Sequence, residues 1–249
     1  MCETCRQNSL HPRAPSRRAF VFAAAAIGLA FASTAKAKEK EKEDEKKKPP
    51  KPQNVLSPDA ALEGLRRGNA RYVEGVSLRH DFKHEREALA KGQNPYAAIL
   101  SCADSRIAPE YAFDSGRGDL FVCRIAGNFA NTETIASLEY AVAVLNVPLI
   151  LVLGHDSCGA VDATIKSLKD NTTLPGRLPS LVAAIAPAVK AVLQQGGDTL
   201  ANATRQNVID NVAKLGSATP ILGAAVEQKK LKVVGGIYRL KDGRVDMVA

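Results

Sequence analysis

The sequence has no tryptophan, two methionines and five cysteines among its 249 residues, and only 5% of its residues are aromatic. So few cysteines exclude a disulfide-built scaffold. No apolar run reaches the roughly 18 residues that a membrane-spanning helix needs. The G-x-G-x-x-G and G-x-x-x-x-G-K motifs are absent, so neither a dinucleotide nor an NTP site is indicated. What remains is typical of a globular protein long enough to bury a core.

A basic surplus is also missing from the part of the chain that is expected to fold. The formal net charge is +8. Residues 1–54 contain 12 Lys and Arg against 6 Asp and Glu, whereas residues 55–249 contain 22 against 20. A nucleic-acid-binding face needs its positive charge on the folded part. The sequence therefore predicts no nucleic-acid partner.

The first 37 residues have the pattern of an export signal. Arg17 and Arg18 stand directly before an Ala-rich apolar stretch, 20–35, and Ala35-Lys36-Ala37 offers a cleavage site. Paired arginines in this place resemble a twin-arginine signal. We expect an exported protein, periplasmic or secreted, whose precursor meets the export machinery. A short membrane anchor is the alternative, but so short an Ala-rich stretch spans a bilayer poorly, so no stable membrane insertion is expected.

Residues 38–54 separate this signal from the rest of the chain. Residues 38–53 read KEKEKEDEKKKPPKPQ and contain no apolar side chain for a core. Like charges and prolines favour an extended, solvated segment. We therefore predict a linker over 38–54 and a folded domain over 55–249.

Within that domain, continuously apolar strands alternate with amphipathic helices. This pattern predicts an α/β fold with a mainly parallel sheet covered on both faces, preceded by an N-terminal helical arm. The predicted strands are 97–100, 120–123 and 147–153, followed by a terminal hairpin of 231–240 and 244–248. The predicted helices are 58–75, 81–91, 132–146, 159–169, 180–195, 203–215 and 218–230.

Metal-ligating residues follow two of the predicted strands. Cys102 comes directly after the first strand, and His155 and Cys158 follow the strand 147–153. Ligands in an open parallel sheet bind beyond the carboxyl ends of the strands. Two thiolates and an imidazole suit Zn²⁺, and three protein ligands leave a fourth position open, as in catalytic zinc sites. A Cys102–Cys158 disulfide is the alternative in an oxidising compartment.

A carboxylate and a guanidinium lie close to these donors in sequence. Asp104 and Arg106 are two residues apart on the turn after Cys102 and can pair. Asp104 then has two possible roles, as the fourth metal ligand or as a hydrogen-bond acceptor for water on the metal. Cys123, between apolar strand neighbours, is expected to be a buried thiol without a role in the site.

These residues together resemble the β-class carbonic anhydrases. The resemblance covers about 55–249. The segments that carry it are LEGLRRGNARYVEG at 62–75, CADSR at 102–106, GDLFVCRIAGN at 118–128, SLEYAV at 137–142, GHDSCGAV at 154–161 and LKVVGGIYRL at 231–240. It implies the reversible hydration of carbon dioxide to bicarbonate and a proton by metal-bound hydroxide, with one Zn²⁺ per chain. It also implies a homodimer or homotetramer.

The resemblance further implies a role for each candidate residue. Cys102, His155 and Cys158 would hold the zinc, and Asp104 and Arg106 would form the catalytic dyad. The residues expected to contact carbon dioxide, some of them across a subunit interface, are Gln93, Phe121, Ala126 and Tyr140. Two other readings stay open from the sequence: hydrolysis of carbonyl sulfide or carbon disulfide on the same fold, and a zinc- or bicarbonate-binding module without turnover.

Overall fold

The computed structural model describes residues 56–90 and 92–249. The predicted signal, 1–37, and the predicted linker, 38–54, lie outside these residues. The described part of the chain forms five strands and eight helices, which alternate as the sequence pattern predicts.

A five-stranded sheet forms the centre of the domain. Its strands are β1 (Ala97–Ser101), β2 (Leu120–Arg124), β3 (Leu149–His155), β4 (Lys232–Tyr238) and β5 (Val245–Met247). Their order is β2-β1-β3-β4-β5, with the first four parallel and β5 antiparallel to β4. The mainly parallel sheet and the terminal hairpin are thus confirmed. Every residue of β1 and β3 is buried, because helices cover both faces of these strands.

Helices surround this sheet. They are α1 (Pro58–Val73), α2 (Phe82–Leu89), α3 (Pro109–Ala112), α4 (Thr132–Ala143), α5 (Gly159–Lys169), α6 (Leu178–Val192), α7 (Thr199–Gly216) and α8 (Leu222–Glu227). The single turn α3 is absent from the predicted set. The prediction of 132–146 is too long, since the chain leaves the helix after Ala143 and reaches a positive φ of 56° at Asn146. Likewise α8 is shorter than the predicted 218–230.

The two faces of the sheet bury different side chains. On one face, Leu100 and Val152 pack with Leu138 of α4 and with Val208 and Leu215 of α7. On the other face, residues of β1 and β3 (Ile99, Leu149, Leu151 and Leu153) pack with Ala61 and Leu65 of α1. Strand side chains alternate between the faces, so β1 and β3 each contribute to both clusters.

The helix α1 of the N-terminal arm is anchored to the rest of the domain by polar contacts. The Ser57 hydroxyl accepts a hydrogen bond from the Ala60 N–H and so begins α1, with Pro58 at the first helical position. Near the end of this helix the buried Asn69 amide donates to the carbonyl oxygens of Ala112 and Gly243, at 2.9 and 2.8 Å. These contacts fix α1 against both α3 and the terminal hairpin.

Candidate metal centre

The three predicted metal ligands meet at the carboxyl ends of two adjacent strands. Cys102 follows β1, His155 is the last residue of β3, and Cys158 is the N-cap residue of α5. Because β1 and β3 are parallel neighbours, their ends lie side by side. The donor atoms of the three side chains are all within 4.8 Å of one another, and all three residues are buried.

The His155 imidazole presents one nitrogen to this cluster. Its Nδ1 lies 2.8 Å from the carbonyl oxygen of Asp156, and an N–H donated there leaves Nε2 with a free lone pair. The Nε2 atom is buried and has no hydrogen-bond partner among the described residues. A buried nitrogen of this kind is costly unless something binds it. The site therefore fits a cation-binding role for Nε2.

The two cysteines of the cluster shift each other's pKa in opposite directions. A hydrogen bond from the Cys158 thiol holds the pKa of Cys102 well below its ordinary value, and the resulting thiolate raises the pKa of Cys158. The backbone N–H of Gly127 also donates to Cys102 Sγ, at 3.3 Å. Both cysteines are free, so the structure contains no Cys102–Cys158 disulfide, which was the alternative.

Asp104 and Arg106 form the pair that their spacing predicts. The Arg106 Nε and Nη2 atoms donate to the two carboxylate oxygens of Asp104, at 2.9 and 2.7 Å. The Arg106 backbone N–H donates to the same carboxylate, at 2.9 Å. These contacts hold the pKa of Asp104 well below its ordinary value. One of its oxygens lies 3.8 Å from His155 Nε2, so an ionised carboxylate faces the nitrogen that could bind a metal ion.

Arg124 also shapes this site, although the sequence analysis gave it no role. From the end of β2, its Nε donates to the carbonyl oxygen of Cys102 at 2.9 Å, and its Nη2 donates to that of Asp104 at 2.7 Å. These bonds fix the backbone of the turn that carries both residues. A charged residue at the end of an otherwise apolar strand is the only signal in the sequence.

The predicted substrate contacts are distributed around the sheet. The rings of Phe121, on β2, and Tyr140, on α4, are neighbours with centroids 6.3 Å apart. Ala126 lies in the turn after β2, directly before Gly127. Gln93 is exposed and precedes β1, so the strand, about 16 Å long at ~3.3 Å per residue, separates it from Cys102. Within one chain, Gln93 and the predicted metal ligands therefore lie at opposite ends of β1.

Cys123 is separate from the metal-binding cluster. It is half-buried on β2 and packs against apolar neighbours. Burial raises the pKa of its thiol, which keeps it protonated and unreactive at neutral pH. Cys123 was expected to be buried and is only half-buried, while its lack of a role in the site stays a prediction.

This chain is similar in sequence to known proteins. The sequence profile of the carbonic anhydrase family matches residues 97–245. Carbonic anhydrase 2 of Mycobacterium tuberculosis is 41% identical over 189 residues, which cover 76% of this chain and 91% of that protein. A carbonic anhydrase of Mycolicibacterium smegmatis is 39% identical over 192 residues, or 77% and 93% of the two chains.

Solved structures agree with these relatives. The β-carbonic anhydrase CcaA has a TM-score of 0.57 and 28% identity, and the match covers 76% of this chain and 98% of that one. One of two tetrameric β-carbonic anhydrases of Sordaria macrospora has a TM-score of 0.59 and 25% identity, with 67% and 87% covered. The sequence match, the parallel sheet and the buried Cys-His-Cys cluster agree with one another, and the chain belongs to the β-carbonic anhydrase family.

Proposed function

We propose that this chain is a zinc-dependent carbonic anhydrase that converts carbon dioxide and water reversibly into bicarbonate and a proton. The observation that carries the proposal is the buried cluster of Cys102, His155 and Cys158 beside an ionised Asp104. Membership of the family supplies the reaction, and the cluster supplies the place where it occurs.

The donor set supports zinc as the metal. Two cysteine sulfurs and one imidazole nitrogen are borderline-soft ligands, which zinc prefers over magnesium or calcium. The His155 Nε2 atom has no hydrogen-bond partner among the described residues, and such an ion would satisfy it. When bound, zinc supplies a water molecule whose pKa is lowered toward neutrality.

The chain's own residues orient the reacting groups. The Asp104 carboxylate is ionised and lies close to the metal-binding nitrogen, so it is placed to accept a hydrogen bond from the attacking water. Two parallel hydrogen bonds from Arg106 hold that carboxylate in one orientation. Fixed in this way, the Asp104 carboxylate would orient a reacting water molecule toward carbon dioxide and so lower the entropic part of the barrier.

Carbon dioxide itself is apolar and needs an apolar wall. We assign this wall to Phe121, Ala126 and Tyr140, with Gln93 donating a hydrogen bond to one substrate oxygen. Gln93 lies at the opposite end of β1 from the metal ligands of its own chain. Under this assignment it therefore contributes to the site of a second copy. The complete pocket therefore requires at least two chains.

Exposed apolar side chains support this assembly as a homodimer or homotetramer. Tyr140 and Val144, at and just beyond the end of α4, are 46% and 57% exposed. The Tyr140 ring neighbours Phe121 of β2, and β2 is an edge strand of the sheet. Single exposed apolar residues are common, but apolar residues next to an open strand edge are typical of subunit interfaces.

The experiment that tests the proposed function measures metal content and turnover together. We expect the purified chain to contain one zinc per polypeptide and to hydrate carbon dioxide rapidly in stopped-flow assays. Cys158→Ser should lose the metal and the activity, whereas the matched control Cys123→Ser should keep both. Stoichiometric zinc in Cys158→Ser contradicts the ligand assignment. A zinc-loaded wild-type chain without turnover contradicts the proposed reaction.

A further inference from the structure

Three polar side chains of α7 reach one loop that lies more than 75 positions earlier in the chain. The Asn207 amide donates to the carbonyl oxygen of Gly127 at 2.8 Å. The Asn211 side chain accepts the Ala130 N–H at 2.7 Å, and Lys214 Nζ donates to the Ala130 carbonyl oxygen at 2.6 Å. The spacing of these residues places them on one face of the helix. The loop after β2 is thus fastened to α7 at two separate points.

The first of these points is a tight turn at Gly127. The Asn128 N–H donates to the Ile125 carbonyl oxygen at 2.9 Å, and Gly127 has a φ of +86°, which favours glycine. A Cβ at this position would come within 2.5 Å of the Ile185 side chain on α6. The turn is therefore confined by α6 on one side and held by Asn207 on the other.

This turn also makes direct contact with a metal ligand. The Gly127 N–H donates to the Sγ atom of Cys102, and the same residue accepts the Asn207 amide through its carbonyl oxygen. One glycine therefore links the Asn207 side chain to the thiolate. Asn207 is 1% exposed, so no solvent molecule replaces its amide without a rearrangement of the core.

We infer that Asn207 is a positioning residue for the metal centre, because it holds Gly127 where its N–H supports the Cys102 thiolate. This inference rests on the proposed metal-binding role of Cys102, His155 and Cys158. Without the Asn207 amide, the buried carbonyl oxygen of Gly127 lacks its side-chain hydrogen-bond donor. A rotation of the turn that brings this oxygen to another donor then lowers the free energy. Rotation of the turn displaces the N–H from the sulfur.

The neighbouring contacts of α7 provide a control. Lys214 fastens the same loop to the same helix, but at Ala130, three residues beyond Gly127. Removing its ammonium loosens the loop without touching the bond to Cys102. A merely structural role for Asn207 would make the two positions equivalent, whereas a positioning role separates them.

The test compares Asn207→Leu and Asn207→Ala with the control Lys214→Met. Leu retains the volume of the side chain and Ala avoids any clash, and both remove the donor to Gly127. Zn²⁺ affinity is measured by competition with a chelator, and the thiolate-to-metal absorption band is recorded on the Co²⁺ form. We expect 10–100-fold weaker zinc binding and a shifted cobalt band in both Asn207 variants, the size typical of lost contacts to metal ligands. Lys214→Met should bind zinc as the wild type does.

Several results would overturn the inference. Zinc affinity and cobalt spectra that are unchanged in the Asn207 variants would show that the turn holds its position without the amide. Equal losses in Lys214→Met would reduce Asn207 to a general stabiliser of the loop. Failure of both Asn207 variants to fold would likewise make it a requirement of the fold. If the wild-type chain binds no metal, the proposed function fails first, so the two failures are distinguishable.

Discussion

At the scale of single residues, Asp104 combines a fixed position with a fixed charge. Its carboxylate accepts two side-chain hydrogen bonds from Arg106, which orient it, and it is only partly exposed at the edge of the metal-binding cluster. We predict that Asp104→Ala retains the metal, because Asp104 lies outside the group of three buried donors. Turnover should fall by about 10²–10⁴-fold, the range for removal of a proton-handling side chain.

Metal analysis and stopped-flow hydration of the same preparation check this prediction. Asp162→Ala is the matched control, since Asp162 is also an acidic residue paired with a cation, Lys166, but on an exposed helix face. Wild-type turnover in Asp104→Ala would remove this residue from the mechanism. Loss of metal in Asp104→Ala would instead make it a fourth ligand.

The residues of the site differ in how visible they are in the sequence. That Cys102, His155 and Cys158 come together was predictable, because each follows an apolar strand and parallel strands place their carboxyl ends at one edge. The roles of Arg124 and Asn207 were not predictable, because their hydrogen bonds join residues 22 and 80 positions apart and produce no periodic pattern. The sequence thus predicts the members of the Cys-His-Cys cluster better than the side chains that hold their backbone in place.

At the scale of elements, Asp114 joins the end of α1 to the loop after α3. Its buried carboxylate accepts hydrogen bonds from Arg71 Nε, from the Ser77 hydroxyl at 2.8 Å and from the Leu78 N–H at 3.1 Å. Burial alone would raise the pKa of Asp114, but these bonds bring it below its ordinary value. The Asp114 carboxylate must therefore stay ionised to hold the end of α1 in place.

We predict that Asp114→Asn lowers the free energy of unfolding at pH 7 by about 1–3 kcal/mol, the cost of weakening buried hydrogen bonds to a charged group. Asparagine also tolerates the φ of +42° found here, so the substitution isolates the charge. Because the pKa is lower in the folded state than the unfolded value of about 3.9, this stabilisation is complete above that value. It is lost as the pH falls through the folded-state pKa.

Denaturant unfolding at pH 7 and at about pH 3 measures this difference. The two proteins should differ at pH 7 and approach each other in acid. Asp170→Asn, the same change on an exposed helix end, serves as the control and should have little effect. A difference that persists unchanged at low pH would contradict a role for the charge.

Element boundaries were predicted less well than element types. The strand at 147–153 begins two residues later, at Leu149, directly after Pro148, which has no N–H to donate. Helix α7 begins at Thr199 rather than 203, because the Asp198 carboxylate caps it by accepting the N–H groups of Leu200 and Ala201. Apolar periodicity predicts which residues face the core, whereas polar capping contacts decide where a helix starts.

At the scale of the whole molecule, the alternation of strands and helices was enough to predict the sheet and its two covered faces. Assembly was not predictable in the same way, because it depends on which apolar residues remain exposed after folding. No helix of the described residues is long and apolar enough to cross a membrane.

We propose that residues 1–37, which lie outside the described part of the chain, direct export of the folded precursor to the periplasm or the exterior. Folding first would let Cys102 and Cys158 bind metal as thiolates in a reducing compartment, before an oxidising one favours a disulfide. We predict that the double change Arg17→Lys and Arg18→Lys traps the precursor inside, because it keeps the charge and removes only the arginine pair. Cell fractionation and immunoblotting measure this, with Arg13→Lys as the control. Normal export of the double variant would indicate the general secretory route, in which the chain crosses unfolded and acquires its metal afterwards.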